Sequence, residues 1–340
     1  MKIAIHHREN SYSDRWIEYC IVNNIQYKIV DCLSTNILEQ LDDCNIVMWH
    51  WSFADYESKL FAYKIILALE IAGKYVYPSS DTCWHYDDKV AQKYLLEAID
   101  APLVPSYIFT TESDAMDWIH KTEFPKVFKL KSGAGSANVR LIKNRSDAVS
   151  VIRKAFHKGF PSFNKYFSDV QTKVSKAKKK KDLLEKIKRM PTIIKDLRTR
   201  NRLQGRQIGY AYFQDFLPDN KFDIRINIIG NRAFGSVRYI RENDFRASGS
   251  GNNNADPALV DMEAITISFD VARKINSQSL ALDFIYDRDK KLKIIEISYG
   301  FPSYSVHQCP GYWDEDLKWH AGQKWPEDYI LEDILSGGYN

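Results

Sequence analysis

Short apolar runs alternate with longer segments of helical periodicity over the first 85 residues. The runs are typical of buried strands, and they lie at 2–6, 27–32, 45–51 and 74–78. Helices are predicted between them at about 13–23, 34–42 and 56–72. Parallel strands need a crossover connection, which is usually a helix, so this rhythm predicts a small parallel sheet with helices on its faces.

The pattern changes after residue 86. Apolar residues at helical spacing predict a helix over 87–101. The segment 125–131 predicts a strand, and the small-residue stretch "SGAGSAN" separates it from a second strand. We therefore expect an antiparallel pair joined by a flexible loop of a size that suits a phosphate group, with a helix from about 146.

A basic segment follows at about 158–206. From Gln171 to Arg206 the sequence has 14 Lys or Arg and 3 Asp or Glu, a local charge of 14 − 3 = +11, which leaves 4 − 11 = −7 for the rest. Apolar residues spaced four and three apart predict a helix pair, kinked or broken near Pro191. We interpret the segment as an insertion with a solvated basic face.

Alternating apolar and polar positions predict an antiparallel sheet in the C-terminal part. Its strands are expected at 207–217, 221–231, 232–241, 280–287 and 291–298. A helix is predicted near 258–276, and the aromatic segment 309–320 is expected to be irregular. The short turn "DRDK" predicts that the last two strands form a hairpin, which would bring Asp283 close to Glu296.

The composition, 44% hydrophobic and 27% charged, is that of an ordinary soluble protein. The longest apolar run, 65–73, is far shorter than the roughly 18 residues of a membrane span. The N-terminus turns polar after five residues, so no signal peptide is predicted. Five cysteines without a close pair predict neither a zinc nor a redox site, and they fit a reducing cytoplasm.

Two carboxylates and a hydroxyl are expected on one face of the predicted hairpin. Glu296 and Ser298 are two positions apart on a strand, and Asp283 lies on the preceding strand. Oxygen ligands of this kind suit Mg²⁺, which usually takes one or two carboxylates and leaves the rest of its coordination to phosphates and water. Acids at a solvated hairpin edge would explain the same residues.

Further residues could bind an anion. The loop 131–138 offers backbone N–H groups without steric bulk, and Lys129 stands just before it. Asp223 and Arg225 share a strand face, where a carboxylate could bind ribose and a guanidinium could bind phosphate; cross-strand ion pairs would explain them equally well. Arg246 opens the flexible loop "ASGSGN".

The order of these features resembles the ATP-grasp superfamily. "QDFLPDNKFDIR" and "DFRASGSG" are most similar to RimK-type ligases and to relatives associated with bacterial surface-polysaccharide biosynthesis. The resemblance covers most of the chain and implies an α/β and α+β architecture, with two β-rich lobes enclosing ATP. It divides the chain into a pre-ATP-grasp domain at 1–85, a lid lobe with the basic insertion at 86–206, and a C-terminal lobe with the metal site at 207–340.

The resemblance also implies roles for individual residues. The nucleotide would be bound by the two lysines, the phosphate loop, the hinge and the ribose acid: Lys89, Lys129, Ser132, Gly133, Gly135, Ser136, Gln214, Asp215, Phe216, Leu217 and Asp223. Two Mg²⁺ ions would be held by Asp283, Glu296 and Ser298, and the catalytic cations would be Arg225 and Arg246. Acceptor binding would fall to Ser248, Ser250, Asn252, Tyr299 and His307.

Two departures from the family pattern stand out. Ser298 occupies a position where most members have asparagine, so the sequence leaves open whether it binds metal directly. Leu130 replaces the usual proline after the loop lysine.

The activity implied is an ATP- and Mg²⁺-dependent carboxylate–amine ligase that works through an acyl-phosphate. Its partners would be ATP, a small-molecule or sugar-linked carboxylate and an amine, with His307 as a candidate base. A small-molecule kinase with the same ATP site is the alternative. A protein that binds nucleic acid or another anionic polymer through "KAKKKK" is a third, although the segment has few aromatics for base stacking.

Overall fold

The computed structural model describes residues 2–53, 55–133, 138–161, 205–241, 244–247 and 249–337. It separates into two compact units, one made of residues 1–86, 94–103 and 219–340 and the other of 87–93 and 104–218. The predicted helix pair within 158–206 falls largely outside the described residues. The division at residues 85 and 206 stays a prediction.

The first unit begins with the parallel sheet that the sequence predicts. Its strands, in the order β2-β1-β3-β4, are β1 (Ile3–His6), β2 (Tyr27–Val30), β3 (Ile46–Met48) and β4 (Tyr75–Tyr77). The helices are α1 (Tyr12–Val22), α2 (Ile37–Gln40), α3 (Tyr56–Ile71) and α4 (Ser80–Cys83). Side chains of Ser11 and Asp55 accept hydrogen bonds from backbone N–H groups and cap α1 and α3.

The second unit contains a four-stranded antiparallel sheet in the order β5-β10-β6-β7. Its strands are β5 (Ser106–Phe109), β6 (Lys126–Lys129), β7 (Val139–Ile142) and β10 (Ala211–Asp215). The short strands β8 (Phe160–Pro161) and β9 (Arg206–Gln207) form a separate two-stranded antiparallel sheet. The helices α6 (Glu112–Lys121) and α7 (Arg145–Phe156) contribute apolar residues to its core. The helix α5 (Lys89–Ala98) has residues 89–93 in this unit and the rest in the first unit.

A seven-stranded antiparallel sheet completes the first unit. Its strands are β11 (Phe222–Ile229), β12 (Arg232–Tyr239), β13 (Asn253–Asn254), β14 (Ser279–Tyr286), β15 (Leu292–Ser298), β16 (Gly311–Trp313) and β17 (Trp319–Ala321). The expectation of an irregular segment at 309–320 is wrong, because β16 and β17 form a hairpin in which Trp313 packs on Trp319.

Three helices belong to this part of the chain: α8 (Met262–Lys274), α9 (Ser303–His307) and α10 (Pro326–Leu335). α8 packs on one face of the seven-stranded sheet, with Ile265 and Phe269 in the same apolar cluster as Ile226 and Leu282. Within the described ranges, no helix is both long and apolar enough to cross a membrane.

Candidate functional site

One face of the seven-stranded sheet carries the predicted acids and Arg225. In β11, Ile224, Ile226 and Ile228 lie in the apolar core that α8 covers. Because side chains alternate along a strand, Asp223 and Arg225 lie on the opposite face. We call the part of this face around Asp223 and Arg225 the charged face; farther along the strands the same side carries Ile229 and Phe234 in a second apolar cluster.

A β-bulge in β15 determines the direction of Glu296. Leu292 and Ile294 lie in the core, and strict alternation would send Glu296 to the same side. The register with β14 shifts beside Asp283, so that Glu296 pairs with Asp283 and Ile297 enters the core instead. The bulge therefore places the two acids on the charged face together.

Arg225 and Asp283 form a bidentate ion pair between β11 and β14. Arg225 Nε donates to Asp283 Oδ1 at 2.7 Å, and its Nη2 donates to Oδ2 at 2.8 Å. The two residues are direct neighbours in the strand register. Burial alone would raise the pKa of Asp283, but the guanidinium groups of Arg225 and Arg238 lower it to about 2.

Arg238, on β12, is a member of this cluster that the sequence reasoning missed. Its Nε and Nη2 donate to the two oxygens of Asp223 at 2.6 and 2.7 Å. The same Nη2 lies 2.7 Å from Asp283 Oδ2. The cross-strand ion pairs left open as an explanation for Asp223 and Arg225 are thus present. Alternation from the core residue Val237 was the signal available for Arg238.

The oxygen atoms on this face are of the kind that bind a magnesium ion. Asp283 and Glu296 supply carboxylate oxygens, and the Ser298 hydroxyl donates to Gly300 O at 2.8 Å, which leaves its oxygen lone pairs available. Asn227, 1% exposed and two residues from Arg225, has an amide oxygen with no hydrogen-bond partner among the described residues. The same ranges contain no group of three His, Cys, Asp or Glu side chains that could hold a metal.

In the second unit, α5 holds one end of the predicted phosphate loop. Lys89 Nζ donates to Gly133 O at 3.0 Å, and Asp87 Oδ1 accepts from Gly133 N at 2.7 Å. Ser132 O accepts from the buried Asn138 amide at 2.8 Å, which closes the loop at its other end. Gly135 and Ser136 lie outside the described residues.

Lys129 lies on β6, 6% exposed, and pairs with Tyr212 of β10. The predicted hinge follows β10. Gln214 is buried and donates to Ser106 Oγ at 3.0 Å, while Asp215 Oδ1 accepts from Lys126 Nζ at 2.6 Å. The hinge side chains are thus held by their own sheet, and Phe216 and Leu217 are half-buried after it.

The loop after β12 brings together fewer predicted residues than expected. Arg246 pairs with Asp244 at 2.7 Å, so its guanidinium has a local carboxylate partner. Ser250 Oγ accepts from Asn252 N at 3.2 Å, and Asn252 is exposed. Ser248 lies outside the described residues.

Tyr299 and His307 have packing roles in the structure. Tyr299 is completely buried, and its hydroxyl donates to Trp51 O at 2.8 Å. The His307 ring stacks on Trp325 with centroids 3.9 Å apart, and its Nδ1 is buried without a partner in the described part of the chain. The acceptor roles assigned to both remain predictions.

Residues 168–301 match the family described as the RimK-like ATP-grasp domain. The matched segment contains Asp223, Arg225, Asp283 and Glu296. No curated protein matches the chain.

Alignments with solved structures of the same fold cover nearly the whole chain. D-cycloserine synthetase DcsG is 11% identical with a TM-score of 0.61, and the alignment covers 99% of this chain and 100% of that one. D-alanine–D-alanine ligase from Bacillus anthracis is 12% identical with a TM-score of 0.58, covering 99% and 98%. A RimK domain ATP-grasp protein from Sphaerobacter thermophilus is 13% identical with a TM-score of 0.53, covering 90% and 94%. These similarities confirm the predicted fold class.

Proposed function

We propose that this chain is a member of the RimK-like branch of the ATP-grasp superfamily and an ATP-dependent ligase that joins a carboxylate to an amine. The observation that carries the proposal is the row formed by Arg225, Asp283 and Glu296 on the charged face of the seven-stranded sheet. The two carboxylates can bind a metal ion, and the guanidinium beside them can bind a phosphate group.

The reaction has two displacements. An oxygen of the substrate carboxylate attacks the γ-phosphorus of ATP, the bond to the bridging β,γ-oxygen breaks, and ADP leaves. The amine nitrogen then attacks the acyl carbon of the resulting acyl-phosphate, phosphate leaves, and the nitrogen loses a proton as the amide forms. Neither step needs a nucleophilic side chain, so positioning and electrostatics supply the rate.

In this proposal the acidic residues bind the metal or ribose, and the basic residues bind the phosphates. Asp283, Glu296 and Ser298 would hold Mg²⁺, which offsets phosphate charge when bound. Arg225 and Arg246 face the charge that develops on the transferred phosphoryl group, and Lys89 and Lys129 bind the nucleotide phosphates. Asp223 binds ribose, which requires it to exchange one of its bonds with Arg238 for a hydroxyl.

We infer a small-molecule or sugar-linked acid as the carboxylate, with a role in surface-polysaccharide biosynthesis in the cytoplasm, and two Mg²⁺ ions in the loaded site. The substrate class and pathway rest on the similarity of the "DFRASGSG" segment to ligases of that group, the cytoplasm on the five scattered cysteines, and the metal ions on the ATP-grasp resemblance.

The test mixes the protein with Mg·ATP and a panel of sugar acids and amines. A ligase releases phosphate only when both substrates are present, and mass spectrometry detects an amide. A stable phosphoester formed from one hydroxyl substrate would instead identify a kinase and reject the ligase.

Substitutions of Asp283 and Glu296 test whether the activity depends on the site. Asp283→Asn and Glu296→Gln keep side-chain shape and should each lower turnover by a factor of about 100 or more, the size of a lost electrostatic contact in a transition state. The control is Asp333→Asn, a buried acid paired with Arg232 at 2.8 Å and remote from the row. Full activity in both site variants would reject the metal assignment.

A further inference from the structure

Arg238 bridges two acids that have separate predicted roles. Arg238 is 5% exposed, and its guanidinium donates twice to Asp223 and lies within hydrogen-bond distance of Asp283. Asp223 is on β11 and Asp283 on β14, so one side chain from β12 ties together three strands of the charged face. The predicted ribose acid and the predicted metal acid therefore share one cation.

The acceptor capacity of Asp283 is nearly filled. A carboxylate has about four lone-pair sites for donors. Asp283 accepts two hydrogen bonds from Arg225, and the Nη2 of Arg238 approaches at 2.7 Å, which accounts for three of them. A divalent ion that arrives alone finds little room on this carboxylate.

The charges within this cluster of five residues are also nearly balanced. Asp223, Asp283 and Glu296 bring three negative charges against two positive charges from Arg225 and Arg238, a formal sum of −3 + 2 = −1. A free divalent cation would turn this sum positive without any new anion to offset it. A triphosphate supplies that anion and can accept hydrogen bonds from guanidinium groups in the same fork geometry as a carboxylate.

We propose that Arg238 is a positioning residue that makes metal binding depend on the nucleotide. Its guanidinium holds Asp283 and offsets its charge, so the site binds a divalent cation weakly alone and tightly together with ATP. This inference rests on the proposed function, because it takes Asp283 as a metal ligand. It adds that Arg238 carries the coupling between metal and nucleotide.

The experiment measures metal binding without any catalytic turnover. Mn²⁺ is titrated into the full chain, and the electron paramagnetic resonance signal of free Mn²⁺ is followed with and without a nonhydrolysable ATP analogue. The key variant is Asp223→Asn with Arg238→Met, which removes both members of the buried pair and so avoids an uncompensated charge. It should bind Mn²⁺ alone about tenfold more tightly than the wild type, a typical size for a coupling between sites.

Two controls identify Arg238 as the cause. Asp223→Asn alone leaves Arg238 beside Asp283 and should not raise the affinity. Arg232→Met with Asp333→Asn removes a comparable pair on the same strand, six residues and roughly 20 Å away from Arg238, and should also leave the affinity unchanged.

Equal affinity for Mn²⁺ alone in the wild type and the key variant would overturn the proposal. Wild-type binding of free Mn²⁺ as tight as with the nucleotide analogue would overturn it too. If the key variant does not fold by circular dichroism, Arg238→Lys provides the test, because a single ammonium cannot bridge both acids bidentately; unchanged affinity there would count against Arg238. None of these readouts requires the carboxylate or amine, so failure of the ligase assay is a separate result.

Discussion

The side chain of Lys89 is hydrogen-bonded to the backbone of Gly133, the third residue of the phosphate loop. The ammonium donates to the carbonyl oxygen at 3.0 Å, and Asp87 accepts from the amide of the same glycine at 2.7 Å. Both peptide groups of Gly133 are thus tied to the start of α5. The loop is anchored by the residue that is expected to bind phosphate, so nucleotide binding and loop position are linked.

Replacement of Lys89 by methionine should weaken binding of an ATP analogue. The change removes a buried positive charge, and a charge pair about 4 Å apart near a protein surface is worth up to about 4 kcal/mol before desolvation is subtracted. We expect a loss of about tenfold to a hundredfold by isothermal titration calorimetry. Lys121→Met, at the end of α6 and exposed, is the control. Equal affinity in both variants would contradict a phosphate role for Lys89.

Gly133 is required by backbone conformation as well as by space. Its φ is +127°, and a Cβ there would lie 2.4 Å from Asn138 Nδ2, the group that donates to Ser132 O. Gly133→Ala should cost about 1–3 kcal/mol of stability and shift the loop, which lowers nucleotide affinity. Gly209→Ala, with φ +85° and no atom near its Cβ, controls for backbone strain alone. A Gly133→Ala protein with wild-type nucleotide affinity would show that the loop adapts.

His50 should make the protein less stable in mild acid. Its ring stacks on Tyr12 at 3.8 Å, and burial together with the charge of Arg8 lowers its pKa from 6.5 to about 3. Below pH 6.5 His50 takes up a proton in the unfolded state but not in the folded state. The free energy of unfolding therefore falls by up to about 1.4 kcal/mol per pH unit until about pH 3. Urea unfolding from pH 7 to 4 measures the slope.

The His50→Gln variant isolates that effect. Glutamine cannot be protonated, so the difference in unfolding free energy between the variant and the wild type should move in favour of the variant as the pH falls. His120→Gln, on the exposed end of α6, should leave the slope unchanged. A wild-type slope that persists in His50→Gln would assign the acid sensitivity to other groups.

Glu327 should destabilise the protein at neutral pH. It is 3% exposed, one oxygen accepts from the Ser303 hydroxyl, and Oε2 is buried without a partner in the described residues. Burial raises its pKa, so its contribution to stability is present at low pH and is lost as the pH rises through the folded-state value. Glu327→Gln keeps the bond to Ser303 and should gain about 1–3 kcal/mol at pH 8 and less at pH 5.

Thermal unfolding at the two pH values checks this prediction. Glu332→Gln is the comparison, because Glu332 accepts from Tyr19 at 3.0 Å and pairs with Lys324, and its replacement should destabilise slightly. A Glu327→Gln protein that is less stable than the wild type at pH 8 would mean that the carboxylate is needed in its charged form.

Much of the site follows from local patterns. The alternation in β11 separates Asp223 and Arg225 from the isoleucines of the core, and the short turn before β15 predicts the hairpin that brings Asp283 close to Glu296. Not every partner of these side chains follows from local patterns. The pair of Asp223 and Arg238 lies within the hairpin of β11 and β12, whereas the contact of Arg238 with Asp283 and the packing of Tyr299 against Trp51 depend on segments distant in the chain.

The sequence by itself determined the parallel sheet of the first 85 residues, the hairpin that carries Asp283 and Glu296, and the resemblance to ATP-grasp ligases. These depend on periodicity, turns and motifs, which are local. The tertiary structure decided the face that Glu296 occupies, because strict alternation with Leu292 and Ile294 would have buried it and only pairing with β14 introduces the bulge. It also decided that Arg238 joins Asp223 to Asp283, since that contact requires β14 to lie beside the hairpin of β11 and β12.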